Sequence, residues 1–279
     1  MSESKDKSMT PLFPQNLYDA TSAASGVDGF DAVGESEVQQ FFDEGFLVVE
    51  NAFTPAETVS AIQGLDDLIA GKNADYAGIE YEEGVSDVNV GPASRLDLVR
   101  KFWRFVDYDE RLKALSEHPA MISVLRLILH DTPEVFQDMA LIKPPRIGRE
   151  KPWHQDLAYF RLPIETVVVG AWIALDPALI ENGCMRVIPG SHRAPVVHFK
   201  RRDWQICDRD VLRDAAMAVP LAPGGCLFFH GLLHHGTPPN QTSLRRRALQ
   251  FHYKPGGAEW GADADRLRIF GGEGQGAQC

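Results

Sequence analysis

From Val135 to Tyr253 the sequence breaks into short runs of β character, "FQDMALIKPP", "KPWHQDLAYF", "TVVVGAWIALD", "GCMRVIPGSH", "GGCLFFHG" and "RRALQFHYKP", separated by Gly, Pro and Asn. Several short strands in succession must each bury a face, and a sandwich or barrel satisfies that need for all of them. Helical patterns precede the β runs, and no GxGxxG or Walker loop is present, which argues against a nucleotide-binding α/β fold. The expectation is a mainly β domain with flanking helices. A chain of 279 residues accommodates this as one domain.

Residues 1–33 are rich in Ser, Asp, Ala and Gly and are expected to form a flexible arm. Residues 34–254 form the expected single domain, with a helical buttress over about 36–130 and a β core over about 135–254; residues 255–279 are its tail. Ser36-Glu37-Val38-Gln39 reads as a capping box opening a helix that Gly45 ends. Thr54-Pro55-Ala56-Glu57 reads as a second box, with Val59, Ile62, Leu65 and Leu68 on the buried face of its helix. Residues 73–94 read as a loop, 95–107 as a third helix, and further helix is expected through Leu112, Leu115 and Met121–Leu129.

The net charge of −11 opposes nucleic-acid or anionic-membrane binding, since the summed field repels phosphates. Cys184, Cys207, Cys226 and Cys279 form no CxxC and read as four reduced thiols, hence a cytoplasmic protein. No apolar run reaches membrane-spanning length.

His154 and Asp156 stand two positions apart in "KPWHQDLAYF". On a strand such positions share a face, so an imidazole and a carboxylate could grip one ion. HxD alone is a weak signal, because a strand histidine is more often structural. His230, His234 and His235 supply a third donor from a distant segment. Two histidines and one carboxylate on one face of an octahedron leave three positions open, as in non-haem Fe(II) oxygenases; zinc accepts the same ligands. Alternation in "RRRALQFHY" places Arg246, Ala248, Gln250 and His252 on one face, and Arg247, Leu249, Phe251 and Tyr253 on the other. Arg246 then points into a wet cavity, where its planar fork suits a carboxylate. In "VVVGAWIALD" Gly170, Trp172 and Ala174 share a face, leaving space beside the indole.

"LIKPP", "WHQDLAYF", "ENGCMRVIPGSHR" and "HGLLHHGTPPNQTSLRRRA", taken together, resemble the phytanoyl-CoA dioxygenase family of Fe(II)/2-oxoglutarate-dependent oxygenases, from about Glu37 to Tyr253. The resemblance implies a double-stranded β-helix (a cupin-like jelly roll) with helices on one side. It implies that His154 and Asp156 are iron ligands, with His235 as the distal ligand in His235-Gly236-Thr237-Pro238-Pro239-Asn240. By the same resemblance Arg246, eleven positions on, holds the far carboxylate of 2-oxoglutarate with the Thr237 hydroxyl. Trp172, Met139, Gln137 and Lys101 join the cosubstrate pocket. His234 with Arg245 preserves the spacing one residue earlier; the Gly-Thr after His235 and the parity of Arg246 favour His235. His230 and His192 are expected to be structural.

The chemistry implied uses Fe(II), 2-oxoglutarate and O2, releases succinate and CO2, and hydroxylates a C–H bond of a small organic substrate; desaturation or ring formation needs only another substrate pose. Asp156 argues against a halogenase. Residues 73–94, 195–215 and the tail after Lys254 are the expected substrate walls, with His198, Lys200, Arg201 and Arg202 available to an anionic group. The competing readings are a zinc-dependent hydrolase, which would not need an inward Arg246 or the Thr237 hydroxyl, and a non-catalytic binding protein on the same fold, which has no need to keep all three ligands.

Overall fold

The computed structural model describes residues 13–82, 95–272 and 279. Its larger sheet runs, edge to edge, through β2 (Val27–Asp28), β3 (Phe46–Glu50), β13 (Cys226–His230), β8 (Val169–Ala174), β15 (Arg246–Pro255), β6 (Pro133–Lys143), β5 (Val99–Trp103) and β4 (Ile79–Tyr81). The smaller sheet runs through β1 (Ser22–Ala23), β12 (Met217–Val219), β9 (Met185–Val187), β14 (His235–Thr237) and β7 (Lys151–His154). A separate antiparallel ribbon pairs β10 (His198–Lys200) with β11 (Trp204–Ile206). Two short parallel pairings, β1 with β12 and β2 with β3, make both sheets mixed. Two sheets packed face to face with helices on one side form the expected jelly roll.

The period-two pattern sorts the side chains as the alternation requires. Val169, Ala171, Ile173, Leu249, Phe251 and Tyr253 pack outward against Leu65, Leu112 and Leu125 of the helices. Trp172, Ala174 and Ala248 point inward, with Phe46, Val187, Ala218 and Phe229, into the space between the sheets. Helices Pro55–Ile69, Glu110–Ser116 and Pro119–Leu129 therefore cover one sheet face and leave the other for a site. The Thr54 box is present: Glu57 N–H donates to Thr54 Oγ1 at 3.3 Å, and Thr54 N–H donates to Glu57 Oε2 at 2.7 Å.

Several local expectations are corrected. The first helix spans Glu35–Glu44, and its cap is Gly34, whose N–H reaches Glu37 Oε2 at 2.8 Å. Val59 is 64% exposed; the buried stripe is Thr58, Ala61, Leu65 and Leu68, whose three- and four-residue steps stay on one helical face. Val99–Trp103 is a strand, because Lys101 and Phe102 pair with Leu141 and Ala140 on one side and with Glu80 and Ile79 on the other. A helical spacing of aromatics cannot be told from a strand over so few residues. Within 73–94, Ile79–Tyr81 is also a strand, and residues 83–94 lie outside the described ones.

Much of the expected arm is built in. Leu17 and Tyr18 are buried, and the Leu17 carbonyl accepts from Trp153 Nε1 at 3.0 Å. The tail holds a helix, Asp263–Phe270, whose Phe270 packs with Leu157, Phe160 and Trp204. Cys207 and Cys279 form a disulfide, so only Cys184 and Cys226 are free thiols. The cytoplasmic expectation loses the support that four reduced thiols gave it. Among the described residues no helix is long and apolar enough to cross a membrane.

Candidate functional site

His154 closes β7, and His235 opens β14 as its direct cross-strand partner. That register puts both imidazoles on one face, with ring centroids 4.2 Å apart. The β pairing stops at His154, so the expected continuous strand ends before Asp156, which starts a 3-10 turn, Asp156–Tyr159. Gln155 between them keeps extended dihedrals (φ −117°, ψ 128°) and alternation therefore survives. Its side chain donates on the other face to the Leu232 and Ala194 carbonyls, at 2.7 and 2.9 Å. The turn is fixed by Leu157 N–H on the Gly231 carbonyl at 2.8 Å.

Asp156 Oδ1 lies 3.1 Å from His154 Nε2 and 3.6 Å from His235 Nε2. One donor atom from each of His154, Asp156 and His235 fits within a 4.8 Å cluster, and all three residues are buried. The Nδ1 of His154 is 2.7 Å from the Pro152 carbonyl, and that of His235 is 2.9 Å from the Leu233 carbonyl. A hydrogen on each Nδ1 satisfies those contacts and turns both Nε2 lone pairs toward Asp156, the arrangement metal-bound histidines use. Burial, followed by His235 and Lys151, pushes the His154 pKa down to about 3, and burial also lowers that of His235. Burial alone would raise the Asp156 carboxyl; the neighbouring His235 and His252, with a hydrogen bond from His252, hold it well below the usual range. Two neutral imidazoles and a carboxylate suit a divalent ion.

Arg246 begins β15, pairs across to Lys143 and is only 2% exposed. Its Nη1 donates to the Leu141 carbonyl at 3.1 Å, whereas its Nε has no acceptor among the described residues. The guanidinium carbon stands 5.3 Å from the Trp172 ring centre, and burial pushes its pKa down to about 10. A desolvated cation with an unused donor asks for an anion.

One cavity of about 150 Å³ is lined by the three donor residues, by Arg246, Thr237, Trp172, Met139 and Gln137, and by Lys101. The structure thus brings all nine sequence-derived site residues to one place. Lys101 stands on β5 rather than on a helix, with Nζ 5.0 Å from the Trp103 ring centre. Burial and then Lys151 lower its pKa to about 8.

His234 does not line the cavity; its backbone N–H donates to Ser191 Oγ at 2.9 Å and neither ring nitrogen has a partner among the described residues. His230 is structural in its bonding, with Nδ1 accepting from Leu232 N–H at 3.0 Å, and His192 Nε2 is 3.0 Å from the Phe42 carbonyl. The expected anion group near residue 200 is largely spent. His198 is fully buried between Gln155 N–H and the Val196 carbonyl, and Arg202 is held by Glu150 and Asp208.

Alternation had put Gln250 and His252 on the inner face without a task. Both reach Asp156 Oδ2, His252 Nε2 at 2.7 Å and Gln250 Nε2 at 3.2 Å. Asn240 was seen only as a motif letter. Its amide donates to the Lys143, Pro144 and Leu244 carbonyls at 3.2, 3.2 and 2.6 Å, tying the loop after β14 to the end of β6.

The family model for phytanoyl-CoA dioxygenase matches residues 41–248. Phytanoyl-CoA dioxygenase domain-containing protein 1 of Danio rerio is 26% identical over 263 residues, covering 80% of this chain and 90% of that protein. The peroxisomal phytanoyl-CoA dioxygenase of Bos taurus is 26% identical over 230 residues, covering 78% and 67%. Among solved structures, EvdO2 from Micromonospora carbonacea var. aurantiaca complexed with 2-oxoglutarate aligns with a TM-score of 0.64 at 26% identity, covering 83% of this chain and 94% of that one. SnoK, a non-heme alpha ketoglutarate dependent carbocyclase from nogalamycin biosynthesis, aligns at 0.67 with 19% identity, covering 90% and 95%, a likeness of fold. The matched stretch takes in every donor and cavity residue from Lys101 to Arg246, and the chain belongs to the phytanoyl-CoA dioxygenase family.

Proposed function

We propose that this protein is a non-haem Fe(II)/2-oxoglutarate-dependent dioxygenase that hydroxylates a C–H bond of a small organic substrate, with release of succinate and CO2. Arg246 carries the reading: a buried guanidinium with an unsatisfied Nε lines the same cavity as the three donors. A zinc hydrolase would use the donors and leave that cation, a costly group to bury, without a purpose. The relative solved with 2-oxoglutarate supports the same cosubstrate here.

In this reading His154, Asp156 and His235 hold the metal. Bound Fe(II) with 2-oxoglutarate supplies the activation of O2 that oxidises the substrate. Arg246 presents its fork to the far carboxylate, and the Thr237 hydroxyl donates to the same group. Trp172, stacked on the guanidinium, and Met139 keep water from that pair. Lys101 adds positive charge to the cavity, and Gln137 adds an amide. Enclosing charged partners in this way strengthens each contact.

Metal-free protein titrated anaerobically with Fe(II), then 2-oxoglutarate, should develop a visible charge-transfer band, and in air should convert 2-oxoglutarate to succinate. Folded, metal-loaded protein that gives neither band nor succinate would refute the reading and bring the hydrolase forward.

A further inference from the structure

His252 and Gln250 come from β15, on the far side of Asp156 from the two ligand histidines. They divide the carboxylate's two oxygens between two tasks. Oδ1 faces His154 Nε2 at 3.1 Å and His235 Nε2 at 3.6 Å. Oδ2 receives His252 Nε2 at 2.7 Å and Gln250 Nε2 at 3.2 Å. The 3.1 Å between His252 Nε2 and Gln250 Nε2 joins two donors, so neither serves the other and both must direct hydrogen at Oδ2.

We infer that His252, assisted by Gln250, is a positioning residue that fixes Asp156 as a one-oxygen ligand and keeps a coordination position free. The inference rests on the metal reading above. A carboxylate free to rotate can bind through both oxygens, and it would then take one of the three positions that cosubstrate and O2 require. With Oδ2 held by two hydrogen bonds, that rotation has to break both.

The surroundings of His252 argue that the imidazole is there for Asp156 rather than for packing. The ring is fully buried, and aromatic neighbours enclose it: Phe160 at 4.9 Å, Phe136 at 6.0 Å and Phe229 at 6.2 Å between centroids. Its Nδ1 has no partner among the described residues. An apolar side chain would fill this pocket without leaving a buried polar atom unsatisfied. The one polar contact that repays an imidazole here is the bond to Asp156. Phe229 also lies beneath His235, at 4.7 Å, so the ring that packs against the clamp backs the distal ligand as well.

The test uses His252→Leu, His252→Gln and Gln250→Met in the full chain, reading anaerobic Fe(II) affinity, the energy of the Fe(II)·2-oxoglutarate band and the thermal midpoint. Losing a partner that orients a ligand weakens metal binding by about 10- to 100-fold. His252→Leu should show a loss of that size and a shifted band at an unchanged midpoint. His252→Gln, which restores a donor, should return affinity to within about threefold of wild type, and Gln250→Met should fall between. If His252→Leu does not fold, Gln250→Met decides, since an unshifted band and wild-type affinity in that variant refute the clamp. Folded His252→Leu with wild-type affinity and band also refutes it while leaving the metal reading intact. Wild-type protein that binds no Fe(II) overturns the metal reading, and the clamp with it.

Discussion

Replacing Arg246 by Met should make the ligand-free protein more stable and the cosubstrate complex much weaker. The guanidinium is 2% exposed and its Nε is unsatisfied. Burial pushes its pKa down to about 10, well under the ordinary guanidinium value, which corresponds to about 3 kcal/mol against the charged form. Methionine fills a comparable space without that charge. The lost hydrogen bond to the Leu141 carbonyl, 3.1 Å long, gives back about 1 kcal/mol. The balance favours the variant by about 2 kcal/mol, or roughly 4 °C in Tm for a chain of this size. The same change removes a charge-assisted contact to the far carboxylate, about 3 kcal/mol and so about 100-fold in 2-oxoglutarate affinity. Calorimetric titration of the anaerobic Fe(II) form gives the second number, and thermal unfolding of the metal-free form gives the first. A variant that binds 2-oxoglutarate within about threefold of wild type would remove Arg246 from the cosubstrate site. A variant with a lowered Tm would show that the guanidinium is satisfied in the ligand-free protein.

His235→Ala should lose Fe(II) affinity by about 100-fold or more, while His234→Ala stays within about threefold; the reverse order, read by equilibrium Fe(II) titration, would move the distal ligand one residue. Lys101, with its pKa lowered to about 8 by burial and by Lys151, is charged below that pH and neutral above it. If it contributes to holding the dicarboxylate, 2-oxoglutarate affinity falls as pH rises through about 8 in wild type and stays flat in Lys101→Met. The unfolded lysine keeps its proton to higher pH, so the native state binds fewer protons above about 8 and the stability contribution of Lys101 rises with pH there. Matching urea midpoints for wild type and Lys101→Met across that range would count against a lowered Lys101 pKa. Asn240→Ala strips the ties of a fully buried amide to Lys143, Pro144 and Leu244; a loss of about 2–3 kcal/mol in urea unfolding is expected, and under about 0.5 kcal/mol would show that the loop holds itself.

What could be read in advance follows from where a pattern is enforced by burial. In β8 and β15 one face packs on helices and the other lines the cavity, so the alternation of residue types reports the two faces. The runs forming β6, β7, β9 and β13 were also visible as β segments. The outlying elements were not. Val99–Trp103 repeats its bulky residues at a spacing a helix would also show, and only pairing with β6 decides between them. The arm was misjudged because its composition is loop-like, whereas Ser22 and Ala23 gain order by pairing with Met217 and Ala218, a contact no local signal carries. The Cys207–Cys279 bond spans 72 residues and depends on the tail helix returning across the fold, which spacing cannot reveal.

The site was legible to the extent that its groups sit on such two-faced strands. His154 and Asp156 kept a common face although the strand ends between them, because Gln155 remains extended under its own side-chain bonds. On β15, function and packing are tied by register. Leu249, Phe251 and Tyr253 are buried against the helices, at about 1.5–3 kcal/mol each, and Arg247 is locked to Asp176 at 2.8 and 2.9 Å. A slip of one residue would expose that apolar set to the cavity and drive Arg246, Gln250 and His252 into the helical core. The outer hydrophobic face therefore pins the inner polar one. Arg246 and His252 are six residues apart on a single strand, so the group that awaits the cosubstrate and the group that steadies Asp156 are set together, by side chains that touch neither.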